Sequence, residues 1–156
     1  YDQRDPRIKL KLLDQNLGIS GNTNEAARLA TGEFVQIFDH DDLLEPHTLF
    51  EVVKALQADP TLDVIYFDED KVSADGGQRE EPFFKPDWSP AMLFSANYLT
   101  HCVIRRSLYE EVGGCDSAVD GAQEGVLLLK VTERMQRIGH IPHILYRWRK
   151  APAAAT

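Results

Sequence analysis

The chain has 156 residues, of which 43% are hydrophobic and 27% charged, a composition ordinary for one soluble globular domain. Its 25 acidic and 17 basic residues give a net charge of −8, which argues against a nucleic-acid backbone as the main partner. No apolar run approaches the roughly 18 residues of a membrane span. The sequence predicts one domain over residues 1–150 and a disordered tail over residues 151–156.

The two cysteines, Cys102 and Cys115, fit no metal-binding or redox spacing. We interpret both as reduced and structural, which suits a cytosolic compartment. No signal peptide precedes Tyr1, so we expect the chain itself to be soluble, although a missing segment could still carry an anchor.

The first predicted strand covers residues 8–12, where apolar residues alternate with lysines. A glycine-punctuated loop, residues 17–21, follows, and Asn22 with Glu25 three residues later has the form of a helix N-cap. The predicted helix ends at Gly32. A loop that leads into a helix N-terminus can hold a phosphate or a ribose, but most such loops are only turns.

An apolar strand over residues 34–38 ends abruptly in three carboxylates, Asp39, Asp41 and Asp42. In an open α/β sheet, the carboxyl ends of strands face the crevice that binds ligands. If the backbone stays extended, Asp39 and Asp41 project to the same side, and two oxygen donors that close suit Mg²⁺ or Mn²⁺. The alternative is a solvated acidic turn in which Asp39 or Asp42 caps the next helix.

Apolar residues at helical spacing predict a helix between Pro46 and Pro60. A second apolar run, residues 64–67, also ends in acids, and two such strands can line one crevice. The loop that follows carries Trp88, which is either an exposed sugar platform or a plug in the core. His101 falls in a predicted strand over residues 99–104, where a lone histidine is more often a core group than a ligand.

Two further helices are predicted, one over residues 107–112 and one whose apolar stripe continues to Ile138 and stops at Gly139. Glu124 lies in the first turn of the second, where the helix dipole stabilises a carboxylate. Residues 140–149 are predicted to be extended. Because helices alternate with strands, the sequence predicts an α/β fold with a mainly parallel sheet flanked by helices.

Six blocks carry a resemblance to a known family: residues 16–21 (NLGISG), 30–34 (ATGEF), 38–43 (FDHDDL), 65–71 (IYFDEDK), 84–90 (FKPDWSP) and 140–149 (HIPHILYRWR). Together and in this order they resemble family 2 glycosyltransferases, particularly bacterial enzymes that build O-antigen, rhamnan and other surface polysaccharides. The resemblance implies a GT-A type, Rossmann-like fold. It also implies an inverting transfer of a sugar from a nucleotide-diphosphate sugar to a hydroxyl of a saccharide or lipid-linked saccharide, placing the protein in the cytoplasm or at the inner face of the membrane.

The same resemblance assigns roles to individual residues. Asp39 and Asp41 fall on the DxD motif, whose carboxylates bind Mn²⁺ or Mg²⁺ and, through it, the donor diphosphate. The residues implied on the nucleotide side of the donor are Gly18, Ser20, Asn24 and Asp42. The residues implied beside the donor sugar and the acceptor are Asp68, Glu69, Asp70 and Trp88.

The general base is where this sequence departs from the family pattern. Members commonly read Gln-Asp-Trp/Tyr-Asp before the last long helix, and this chain reads Gln123, Glu124, Gly125 and Val126. Glu124 keeps a carboxylate that can take the acceptor proton, although a displacement of about 1 Å can cost roughly a hundredfold in rate. Two alternatives stay open: a catalytically degenerate binding or assembly module, and a nucleotidyl- or phosphoryl-transferase that needs no such base.

The second departure is at the front of the chain. Family members normally begin with an apolar strand and a further βα unit, so the expectation is a partial GT-A catalytic domain that lacks the first strand-helix unit. An uncovered sheet edge can pair with another copy, so a homo-oligomer through that edge is predicted.

Overall fold

The computed structural model describes residues 5–150, so the predicted tail at residues 151–156 lies outside the described residues. The helices are α1 Gly18–Ala27, α2 Thr48–Ala58, α3 Pro90–Leu93, α4 Arg106–Glu111 and α5 Gln123–Arg134, with a 3-10 turn at Ser117–Val119. The strands are β1 Phe34–Gln36, β2 Leu43–Leu44, β3 Val64–Val72, β4 Arg79–Phe83, β5 Val103–Arg105 and β6 Ile138–Arg149. The described residues divide into two compact units, a first of residues 5–35 with 106–134 and a second of residues 36–105 with 135–150.

The sheet of the second unit is built around β3. This strand pairs in parallel with β6 along its whole length and antiparallel with β4 and β5, while β2 pairs antiparallel with β6. Residues 64–67 of β3 are fully buried, as expected for a strand covered on both faces. The α/β class is therefore confirmed. The sheet is mixed rather than mainly parallel, because the short strands β2, β4 and β5 run antiparallel to the long strands β3 and β6 beside which they lie.

The acids after the second apolar run were expected to follow the end of their strand, and this was wrong. Pairing with β6 carries β3 on to Val72, so Asp68, Glu69 and Asp70 lie inside the strand. Asp68 and Asp70 are buried, where an unpaired carboxylate would be costly, and each has a basic partner described below.

The predicted helix between the two prolines is confirmed as α2. The Thr48 hydroxyl donates to the carbonyl oxygen of Leu145 on β6 at 2.9 Å, and Val52 is buried. Leu49 and Val53, although at helical spacing, are exposed. Among the described residues, no helix has the length and apolar character needed to cross a bilayer.

In the first unit, α1 begins at Gly18, four residues before the predicted cap at Asn22. The reason is a carboxylate from far along the chain: Asp120 accepts the backbone N–H groups of Ile19 at 3.2 Å and Ser20 at 3.1 Å. These are first-turn amides that an N-cap side chain normally satisfies. Residues 18–21, expected to be a loop, are thus the capped first turn of a helix, and whether they contact a phosphate or a ribose stays open.

The strand predicted over residues 8–12 does not form, because these residues lie outside any helix or strand. Leu10 and Leu12 are 64% and 84% exposed. The lysines between them make the contacts instead: Lys9 Nζ donates to the carbonyl oxygen of Leu29 at 2.9 Å, and Lys11 pairs with Glu25 of α1. Side-chain contacts with α1 and with the residues just after it, rather than strand pairing, hold this segment in the first unit.

The last long helix, α5, buries Leu127, Leu128 and Val131 as predicted. It ends at Arg134 rather than at Gly139, because Ile138 already belongs to β6 and pairs with β3. The predictions of α4 and of an extended segment over residues 140–149 are confirmed.

Candidate metal centre

The three acids after β1 do not stay on extended backbone. The N–H of Asp42 donates to the carbonyl oxygen of Asp39 at 3.3 Å, which closes a turn. The side chain of Asp41 is 54% exposed and lies 3.8 Å from His40 Nδ1, while its carbonyl oxygen accepts a hydrogen bond from Arg149 Nε at 2.7 Å. The turn therefore brings Asp39 towards Asp42, two acids that extended geometry would separate.

A third side chain completes this cluster. One ligand atom each of Asp39, Asp42 and His101 lies within 4.8 Å of the other two. Two carboxylate oxygens and one imidazole nitrogen are a donor set that Mn²⁺ accepts, and the carboxylates also suit Mg²⁺. The DxD pair Asp39 and Asp41 remains the prediction from sequence, and the structure adds Asp42 and His101 as candidate ligands.

Asp42 is held tightly by the neighbouring strand. Its carboxylate is buried and accepts the hydroxyl of Tyr146 at 2.5 Å and the backbone N–H of Arg149 at 2.8 Å. Burial raises the pKa of Tyr146 above its ordinary value, and the hydrogen bond and charge of Asp42 raise it further. Tyr146 therefore stays a proton donor to Asp42, the residue that the sequence placed on the nucleotide side of the donor.

His101 lies in a turn before β5, not within the predicted strand. Its φ of 61° is in the left-handed region, which is uncommon for a residue other than glycine. The ring stacks on Tyr146 with 3.8 Å between centroids and 8° between planes, and Nδ1 lies 3.0 Å from Glu69 Oε2. The His101 carbonyl oxygen accepts a hydrogen bond from Gln36 Nε2 at 2.8 Å.

Glu69, predicted beside the donor sugar and acceptor, forms an ion pair inside the second unit, and its part in sugar binding stays a prediction. Lys85 Nζ, on a side chain with no exposed surface, donates to Glu69 Oε2 at 2.8 Å and to the carbonyl oxygen of Thr100 at 3.1 Å. Burial works against the charged carboxylate, but the hydrogen bond from His101 and the Lys85 ammonium together lower the pKa of Glu69. No pattern around Lys85 indicated this role, since lysines in loops are usually solvated.

The two acids that flank Glu69 in β3 also have internal partners. Asp68 Oδ1 accepts the backbone N–H of Lys85 at 2.9 Å and lies 2.9 Å from His140 Nε2. Asp70 Oδ2 accepts from Arg79 Nε at 2.6 Å, whereas Asp70 Oδ1 is buried without a hydrogen-bond partner in the described part of the chain. Both acids, predicted beside the donor sugar and acceptor, lie within the sheet.

Trp88 fits neither of its two predicted environments fully. It is half-buried, and its ring lies 6.5 Å from that of Tyr98 at an angle of 39°. The backbone N–H of Ser89 donates to the Tyr98 hydroxyl at 2.8 Å, which fixes the loop beside it. The Trp88 indole is thus partly exposed to solvent, on a loop held by the Ser89–Tyr98 hydrogen bond.

The predicted donor-binding residues of the first unit make internal contacts. Ser20 is buried, and its hydroxyl donates to Asp120 Oδ1 at 2.5 Å. Asn24 Oδ1 accepts the Tyr109 hydroxyl and the backbone N–H of Cys115, each at 2.9 Å, and Nδ2 donates to the Cys115 carbonyl oxygen at 2.8 Å. These contacts give the residues a structural role, and their part in donor binding stays a prediction.

Glu124 lies in the first turn of α5, as predicted, and is half-buried. Burial is the main reason that the pKa of the Cys115 thiol is raised, and the negative charges of Glu124 and Asp120 raise it further. Cys102 and Cys115 are both buried and are not joined in a disulfide, and their reduced, structural state stays a prediction.

Solved structures define the class of this fold. Residues 1–349 of S. aureus TarS, solved in complex with UDP-GlcNAc, superpose with a TM-score of 0.72 over 93% of this chain and 43% of that solved chain, at 20% sequence identity. The mannosyltransferase PcManGT of Pyrobaculum calidifontis, in complex with GDP-Man and Mn²⁺, gives 0.62 over 93% of this chain and 41% of that protein, at 23% identity. The fold is that of the GT-A glycosyltransferases, which confirms the class implied by the six sequence blocks.

The chain belongs to glycosyl transferase family 2, whose family model matches residues 1–113. It is 40% identical over 98% of its length to the O-antigen biosynthesis protein RfbC of Myxococcus xanthus and covers 12% of that protein. It is 39% identical over 99% of its length to the uncharacterized protein y4gI of Sinorhizobium fredii and covers 17% of it. The chain thus spans less than a fifth of the length of each of these two curated relatives.

Proposed function

We propose that this chain is the catalytic portion of an inverting, metal-dependent glycosyltransferase that acts in the synthesis of a cell-surface polysaccharide. It would move a sugar from a nucleotide-diphosphate sugar to an acceptor hydroxyl. Membership of family 2 and the 40% identity to an O-antigen biosynthesis protein support this activity. The saccharide or lipid-linked saccharide acceptor and the location, in the cytoplasm or at the inner face of the membrane, belong to the same proposal.

The observation that carries the metal-dependent part is the cluster of Asp39, Asp42 and His101. A hard divalent cation favours carboxylate oxygens, and Mn²⁺ also tolerates an imidazole nitrogen, so these residues would hold Mn²⁺ or Mg²⁺. When bound, such an ion stabilises the negative charge of a leaving diphosphate. Asp41, exposed beside this cluster on the same turn, remains the second acid of the DxD prediction.

Inversion requires a base that takes the proton of the acceptor hydroxyl while that oxygen forms its bond to the anomeric carbon and the diphosphate leaves with the bonding electrons. We assign this base to Glu124, the carboxylate in the first turn of α5. The donor is a nucleotide-diphosphate sugar, because two proteins of the same fold were solved with UDP-GlcNAc and GDP-Man.

Calorimetric titration of UDP, GDP and dTDP, each with and without Mn²⁺, tests the donor site. We expect binding of one nucleotide that requires Mn²⁺ and that is lost in Asp39→Ala. A His101→Asn variant keeps a residue that tolerates left-handed backbone. It distinguishes the predicted pair Asp39 and Asp41 from the cluster that includes His101, because it weakens binding only if His101 is a ligand. Asp14→Ala, which removes an exposed carboxylate elsewhere, is the matched control and should bind as the wild type does.

Glu124→Gln then tests the base. We expect transfer to be lost while metal-dependent nucleotide binding is kept. Transfer that survives in this variant favours a nucleotidyl- or phosphoryl-transferase instead. Nucleotide binding by a wild type that shows no turnover with any acceptor favours a degenerate binding module, which the replacements at Gly125 and Val126 would explain.

A further inference from the structure

We propose that Glu69 is a positioning residue for the candidate metal centre: it accepts the proton on His101 Nδ1 and so directs the lone pair of Nε2 towards the metal. This inference rests on the proposed function, because it requires that His101 serve as a ligand. It gives Glu69 a task different from contact with donor sugar or acceptor.

The surroundings of Glu69 determine which ring nitrogen of His101 carries the proton. Glu69 Oε2 accepts hydrogen bonds from Lys85 Nζ at 2.8 Å and from the Thr100 hydroxyl at 3.4 Å, and lies 3.0 Å from His101 Nδ1. A lysine ammonium can only donate, so Glu69 beside it remains a carboxylate that can only accept. The short contact then requires a proton on Nδ1, and a neutral imidazole so arranged carries its lone pair on Nε2.

The paired strands β3 and β6 position both Glu69, which orients the histidine, and Tyr146, on which the His101 ring stacks. Glu69 on β3 is the register partner of Tyr146 on β6, and the His101 ring stacks on Tyr146 at 3.8 Å. The Tyr146 hydroxyl in turn holds Asp42, another member of the cluster, at 2.5 Å. Glu69 sets the rotation of the imidazole in its plane, while Tyr146 sets the plane itself.

The backbone of His101 points to the same role. Its φ of 61° lies in the left-handed region, which is uncommon for a residue other than glycine, and such a conformation persists where surrounding contacts enforce it. The hydrogen bond from Gln36 to the His101 carbonyl oxygen is one such contact, and the bond to Glu69 is another. A histidine that merely filled the core would not require this conformation.

The test measures Mn²⁺ affinity by electron paramagnetic resonance of free Mn²⁺, in the whole chain without nucleotide. Partners that orient a ligating histidine typically change metal affinity about 10- to 100-fold, and we expect a loss of that size in Glu69→Gln. The glutamine amide is nearly isosteric but can donate as well as accept, so it no longer fixes the tautomer. Glu81→Gln on β4, which changes the same charge at an exposed position, should bind Mn²⁺ like the wild type.

A second readout needs no metal. Nitrogen-15 NMR at about pH 8, where an ordinary imidazole is neutral, reports which ring nitrogen carries the proton. We expect Nδ1–H in the wild-type His101 and a mixture of tautomers in Glu69→Gln, with the signal assigned by its loss in His101→Asn. A wild-type ring protonated on Nε2 would overturn the inference.

Because Glu69→Gln leaves Lys85 buried without its partner, it can also destabilise the fold. The double variant Glu69→Gln/Lys85→Met removes both charges together, so neither is left buried without its partner. We expect the double variant to regain the wild-type thermal midpoint but not the Mn²⁺ affinity. Affinity that returns together with stability would show a merely structural role and overturn the inference.

The outcomes separate this inference from the proposed function. Equal Mn²⁺ affinity in wild type and Glu69→Gln overturns the positioning role and leaves the metal centre intact. A wild-type chain that does not bind Mn²⁺ overturns the metal-dependent part of the proposed function, and the positioning role with it.

Discussion

The hydroxyl of Tyr146 donates to Oδ2 of Asp42 at 2.5 Å, and both residues are buried. This bond joins the acidic turn after β1 to the central part of β6. It also satisfies a carboxylate that lies almost entirely out of water, where a lost hydrogen bond is costly. The stability of the sheet and the geometry of the candidate metal centre therefore depend on one interaction.

Tyr146→Phe should lower the free energy of unfolding by about 1–3 kcal/mol, because it leaves a buried oxygen of Asp42 without its donor. Urea unfolding at neutral pH measures the change. Asp42→Asn and the double variant complete a cycle, and we expect the two single effects to be non-additive by at least about 0.5 kcal/mol. Additive effects would mean that the two side chains contribute independently.

Gly18→Ala should destabilise the first unit more than Gly113→Ala does. Both glycines have positive φ, 77° and 85°, so alanine at either position carries a backbone penalty of roughly 1–2 kcal/mol. A Cβ at Gly18 would also lie 2.5 Å from Asp120 Oδ2, whereas one at Gly113 has no neighbour within 4 Å. The difference in unfolding free energy between the two variants measures that close approach, and equal losses would contradict it.

Asp120→Asn should reduce stability at neutral pH but not in strong acid. The hydrogen bonds from the Ser20 side chain and backbone lower the folded-state pKa of Asp120 below its ordinary value of 3.8. A carboxyl with a lowered pKa stabilises the fold above its unfolded value and loses that contribution as pH falls through the folded value. Urea midpoints of variant and wild type should therefore differ near pH 7 and converge below pH 3.8, while Asp14→Asn shows no gap at either pH.

The predicted homo-oligomer is assigned to an uncovered sheet edge, and the apolar segment near the start of the chain offers a second, separately testable surface for self-association. Leu10 and Leu12 are largely exposed in a stretch that makes no strand pairing, and such surfaces favour association. Size-exclusion chromatography with light scattering should show self-association that rises with concentration and weakens in Leu10→Glu/Leu12→Glu. Phe50→Glu, at an exposed position of α2, is the control, and a wild-type monomer at high concentration would contradict the prediction.

Elements whose limits are set by nearby residues could be predicted from sequence. The prolines around α2, the double glycine after α4 and the buried stripe of α5 all act within a few residues of the helices they delimit. The start of α1 could not be predicted, because the carboxylate that caps it is Asp120, about a hundred residues further along. A local pattern carries no information about such a partner.

The same limit applies to the candidate metal centre. The sequence predicted Asp39 and Asp41 as ligands, but the approach of Asp42 to Asp39 depends on the turn closed by the Asp42 N–H. His101 joins them only because a turn before β5 places its ring on Tyr146. Lys85, whose charge keeps Glu69 ionised, is buried, but the sequence of its loop has no pattern that predicts a buried lysine.

The parallel pairing of β3 with β6 has a consequence for synthesis of the chain. β3 is translated well before β6, the strand that pairs with its full length and the last of the described elements to leave the ribosome. Until then, β3 can pair only with β4 and β5, along part of its length. The nascent chain must therefore keep an apolar strand from aggregating while five intervening helices and strands are translated, a stage at which exposed hydrophobic surface is prone to association.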